Sequence, residues 1–143
     1  MNSVAIHSGP EWQFLGMARD VFGFHPKSGN SSLLPGAVLS AFKIRDLHRM
    51  SDRSIAACRA RFEACAAECS KKFDCLQVEL QEATGIRDEL LAMEQALSGK
   101  LLFAYHHKHI SEILADWDEL VTDLSISADP EIHSLAAEAA ALL

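Results

Sequence analysis

From Ala37 to Thr84 the chain contains neither proline nor glycine. A stretch of that length without a backbone breaker, rich in Ala, Leu, Glu and Arg, is confined to helix, because these side chains lose little rotamer freedom there. Its apolar positions agree. Ile55, Cys58, Phe62, Cys65, Cys69, Phe73, Leu76, Leu80 and Ala83 follow one another at steps of three or four, the a/d spacing that keeps a single stripe on one helix face. Two successive steps of four around Cys69 form a stutter, which locally unwinds a supercoil. Ile86, Leu90, Met93 and Leu97 resume the stripe after Gly85, so the helix is expected to continue or bend mildly there. Unbroken, Ala37 to Ala83 would reach roughly 70 Å.

The rest of the chain reads as shorter helices. Ser8-Gly9-Pro10-Glu11 has the form of a capped start, with Pro10 at an early helical position and Glu11 three residues after Ser8. Glu11 to Phe24 then spreads apolar groups over most of a helix circumference, which predicts deep burial or a waiting partner. His25 to Gly36 is a loop by composition and the best boundary. Ser98-Gly99-Lys100 predicts a stop. Leu101 to Leu124 is the cleanest amphipathic segment, with Leu102, Phe103, His106, Ile110, Ile113, Leu114, Trp117, Leu120, Val121 and Leu124 on one face. Asp129-Pro130-Glu131 opens a terminal Ala-rich helix through Ala140. The expected fold is all-α: an elongated helical hairpin or bundle with one long coiled-coil-like amphipathic helix. Arms at about 37–98 and 101–125 fold back on each other. Residues 1–36 supply an N-terminal short helix and loop and 37–143 the hairpin, within one structural domain.

At 143 residues the chain can bury a sizeable core. It has no apolar run of the ~18 residues needed to cross a bilayer. Its first ten residues lack the basic start and apolar centre of a secretory signal. A cytoplasmic address follows as the expectation, and four cysteines within 18 residues agree with it. On one helix, thiols seven or eleven residues apart stand about 10 to 16 Å apart, beyond disulfide reach, so reduced thiols are expected. The net charge of −7 is uneven. Residues 1–61 carry eight Lys/Arg against four acids, and residues 62–143 five against sixteen. The two halves can attract each other within the fold or across a dimer, while the acidic half weighs against nucleic acid.

Three groups of residues invite a functional reading. Cys58, Cys65 and Cys69 share a face and could hold a soft metal, although buried cysteine ordinarily serves as a small hydrophobe. The run Cys65-Ala66-Ala67-Glu68-Cys69 resembles the Cys-rich helices of bacterial copper-storage bundles over about a dozen residues. Those bundles line a tube with thiolates from several helices, whereas this chain has no cysteine outside 58–75. His106 and His109 stand three apart and could share a metal with Glu112 or Asp116, provided a second helix supplies the remaining ligands. Arg45, Arg49 and Arg53 recur every four residues within a basic stretch at 43–61. That stripe suits an acidic protein partner, DNA, or pairing with the acids of 116–123.

No phosphate loop, nucleophile elbow or zinc-protease signature is present, so no enzyme and no cofactor is expected. The leading expectation is a non-enzymatic protein–protein interaction module. It would be a dimeric cytosolic adaptor, chaperone or inhibitor, anchored on its partner by Trp12, Phe14, Phe22, Phe62 and Phe73 with Arg45, Arg49 and Arg53 alongside. On that reading Phe22→Ala spares the fold and weakens binding. The alternatives are a Cys/His-based metal or redox sensor and a DNA-associated regulator.

Overall fold

The computed structural model describes residues 9–24, 41–68, 72–98, 104–128 and 141–142. Four long helices fill them: α1 (Pro10–Phe22), α2 (Ala41–Ala67), α3 (Lys72–Ser98) and α4 (Ala104–Ala128). The loop expected at 25–36, the stop at 99–100 and the terminal helix expected from Asp129 lie outside the described residues.

In place of the single long helix there are two of 27 residues each, one ending at Ala67 and the next beginning at Lys72, and Arg61 of the first bonds Glu79 of the second across a hairpin. Neither proline nor glycine marks this break. The last turn of α2 is tightened by a bond from the Glu68 N–H to the Cys65 carbonyl. The gain from folding back is burial. A continuous rod would leave the stripe in water, whereas in the hairpin Cys58, Phe62, Leu76 and Ala83 are all buried, each large side chain adding about 1.5–3 kcal/mol. Gly85 sits inside α3, which runs through it.

Ion pairs and hydrogen bonds give the topology. Arg61 meets Glu79 and Ser111 meets Glu94, so α2/α3 and α3/α4 are antiparallel hairpins. Trp12 bonds Glu82 and Arg19 bonds Glu89, which sets α1 alongside α3 in the same direction. Ser51 with Trp117 and Arg59 with Asp123 set α2 alongside α4 likewise. The result is an up-down-up-down four-helix bundle.

α1 starts at Pro10 with Gly9 as its cap and no side-chain capping bond, so the cap position lies one residue after the expected Ser8. A β-carbon at Gly9 would collide with the Glu11 carboxylate. α1 ends where Gly23 turns left-handed at φ 70°, and Phe24 N–H closes onto the Arg19 carbonyl. The amphipathic face of α4 is realised throughout, from His106 to Leu124. Trp117 lies at its middle, stacked on Phe14 with ring centroids 5.8 Å apart. No helix among the described residues is long and apolar enough to cross a membrane.

Candidate metal centre

α2 and α4 run side by side, and the second turn of each carries histidine. His109 and Glu112 on α4 are three residues apart and therefore share a face. His48 on α2 meets that face. Ligand atoms of His48, His109 and Glu112 all lie within 4.8 Å of one another. The two imidazoles are edge to face, with centroids 5.7 Å apart. Tyr105, one turn before His109, lays its ring 4.3 Å from that imidazole.

His109 is the focus of the arrangement. Both of its ring nitrogens are buried and neither has a hydrogen-bond partner among the described residues. Leaving one such group unsatisfied costs about 1–3 kcal/mol. Burial lowers the His109 pKa, Glu112 opposes that, and His48 adds to it. The shift favours the neutral ring, the form that donates a lone pair to a metal. Further along the α2/α4 seam an open groove of about 280 Å³ is lined by Asp52, Ile55, Arg59, Asp116, Glu119 and Leu120. Its three acids favour the approach of a cation.

The expected ligands are distributed differently. His106 is buried edge-on against Phe22, and burial first, then His109, lowers its pKa. It belongs to the core, and His48 takes the place expected for it. Cys58 and Cys65 lie ten and seventeen residues along α2 from His48, roughly 15 and 25 Å away at 1.5 Å per residue. Cys58 and Cys65 therefore do not converge with that histidine. Cys75 is on α3, not on the helix of Cys58 and Cys65. Cys69 lies outside the described residues, as does the side chain of Phe73.

The expected anchors also go inward. Phe14, Phe22 and Phe62 are buried within the single chain. Trp12 is half-buried against the core and donates its indole N–H to Glu82. Of the basic stripe, Arg49 is paired with Asp46 on its own helix, while Arg45 and Arg53 are exposed. Arg59 reaches Asp123 on α4 at 3.2 Å, so part of the charge asymmetry is spent inside the fold.

Sequence reasoning did not find the cluster around Arg61. Its guanidinium holds Glu11 at 2.5 Å, Glu79 at 2.9 Å and Glu82 at 3.5 Å, and touches the Cys58 sulfur at 3.5 Å. Burial works against the Arg61 charge, but the hydrogen bonds it donates to Glu11 and Glu79 outweigh it and raise its pKa. Glu11 is almost fully buried. Burial, then the Glu11 charge, pushes the Cys58 thiol up to about 12, which leaves it inert as a nucleophile.

Two imidazoles and one carboxylate suit zinc and the other first-row divalent ions better than the all-oxygen preference of magnesium or calcium. Three protein ligands leave a fourth tetrahedral position for water or an incoming group. No protein-family model, curated protein or solved structure matches this chain.

Proposed function

We propose that the chain is a metal-responsive helical module that binds one first-row divalent ion, zinc foremost, through His48, His109 and Glu112. The observation that carries this reading is that one ligand atom from each of those three side chains lies within 4.8 Å of the others, where the His109 ring nitrogens are buried and have no hydrogen-bond partner among the described residues. The ion's work is non-enzymatic in this proposal. It ties the second turn of α2 to the second turn of α4, and the open fourth position keeps it exchangeable.

The test is a competition titration of purified protein with zinc against a chromophoric chelator. One ion per chain is expected, with affinity lowered at least tenfold by His48→Ala, His109→Ala or Glu112→Gln and unchanged by His107→Ala. Zinc at 100 times its Kd should also stabilise the fold by about 2.7 kcal/mol, reversibly on chelation. Absence of zinc binding, or equal weakening by His107→Ala, would overturn the reading.

A docking role, with a protein partner or a second copy, is the second proposal. It must use surface other than the stripes that the bundle buries. Val78, Leu91, Tyr105 and Ile126 are exposed large apolar side chains. Of these, Tyr105 favours the idea, because it is half exposed and rests on His109. A partner seated there would sense whether the ion is bound.

A further inference from the structure

The α2/α3 hairpin places a second, chemically different donor set at the far end of α2. The bond of Arg61 Nε to Glu79 Oε2, 2.9 Å long, fixes the antiparallel register. One turn nearer the connection on each helix stand Cys65 and Cys75, each five residues from residue 70. Four residues on from Arg61 and four back from Glu79, they stand at the same level of the hairpin, on the side where that ion pair forms. Both are free and half-buried, and Cys65 packs on the edge of the core. Glu68 and Glu79 lie close enough to act on Cys65, so the surroundings favour a cation. Cys58 is not a member of this pair. It is two turns away, roughly 10 Å along the helix, and contacts Arg61.

We propose that Cys65 and Cys75 form a two-thiolate site for a soft, two-coordinate cation of the copper(I) class. Binding replaces the two S–H bonds by two metal–sulfur bonds and releases two protons, with no change in oxidation state. Thiolate donors select such an ion as firmly as the imidazole and carboxylate donors of the other site select a borderline divalent one. The sites are separated by roughly 25 Å along α2.

A disulfide is the less suitable end state for this pair. It requires a two-electron oxidant and closure of the sulfurs to ~2.05 Å. Burial first, then the neighbouring Cys75, pushes the Cys65 thiol up to about 11. A thiol shifted in that direction exchanges slowly with a disulfide reagent.

The experiment titrates the reduced full-length chain with copper(I) in the absence of oxygen, against bicinchoninate. Free thiols are counted afterwards, and helicity is checked by circular dichroism. One tightly held copper(I) is expected, coordinated by two sulfurs in X-ray absorption. Cys65→Ser and Cys75→Ser should each weaken it at least a hundredfold, while Cys58→Ala, Cys69→Ser and His109→Ala leave it intact. Loss on Cys69→Ser with retention on Cys75→Ser would overturn the assignment. So would rapid conversion of Cys65 and Cys75 to a disulfide by glutathione disulfide, with no copper(I) retained. Because His109→Ala removes the zinc site and spares this one, the two proposals fail separately.

Discussion

Trp117 on α4 donates its indole N–H to the hydroxyl of Ser51 on α2 at 3.1 Å, and both residues are buried. Phe14 from α1 stacks on the same indole, so one side chain joins three helices. Ser51→Ala changes the packed volume little but leaves a buried donor without its acceptor, which costs about 1–3 kcal/mol. The expected result is a lower urea midpoint with an unchanged slope. An unchanged midpoint would mean that the indole N–H has another acceptor.

Phe22 is 1% exposed and meets the edge of His106 at 5.9 Å. Phe22→Ala should therefore destabilise the fold by about 3–5 kcal/mol, a large part of the 5–15 kcal/mol typical of a whole domain. Chemical denaturation measures this directly. A stable Phe22→Ala variant would return the residue to an interface role.

Phe22 also shows what a sequence can and cannot disclose. The spacing of Ile113, Leu114, Trp117, Leu120 and Leu124 is local and names the buried face of α4 unaided. Spacing says that a side chain will be covered, but not by what, so Phe14, Phe22 and Phe62 read equally as interface anchors and as core. The change of helix between Ala67 and Lys72 has no glycine or proline to announce it. It follows from what α2 gains by packing on α3, a tertiary effect, and the stutter at Cys69 was its one trace. His48 stands alone in the sequence. Only the offset between α2 and α4 brings it to His109 and Glu112, so the half-site on α4 was legible and its completion was not.

Glu82 on α3 shares its surroundings with Arg61 and Cys58 from α2, Glu11 and Trp12 from α1, and Glu79 from its own helix. Burial raises its pKa, Arg61 pulls it back, and Glu11 and Glu79 raise it further, leaving it above the ordinary carboxylate value. Over the interval between the ordinary and the raised value, the folded chain binds more protons than the unfolded one. Stability from this group is thus present at low pH and is lost as pH rises through the folded pKa. Glu82→Gln keeps an acceptor for Trp12 and removes the charge. It should match the parent at pH 4 and exceed it at pH 8 by on the order of 1 kcal/mol, as read by urea unfolding at both values. Equal destabilisation at both would show that attraction to Arg61 dominates.

Two glycines should respond to the same substitution with opposite sign. Gly85 lies exposed within α3, and a β-carbon there meets no atom within 4 Å. Gly85→Ala lowers the backbone entropy of the unfolded chain with no clash in the folded one, and should stabilise by about 0.5–1 kcal/mol. Gly23 sits at φ 70° in the left-handed cap of α1, where a β-carbon is strained by roughly 1–2 kcal/mol. Gly23→Ala should destabilise by about that amount and loosen the α1 terminus next to Phe24. Paired thermal melts of the two variants decide the point. Destabilisation by Gly85→Ala would mean that α3 needs a bend at that position and that the uninterrupted helix is not its working state.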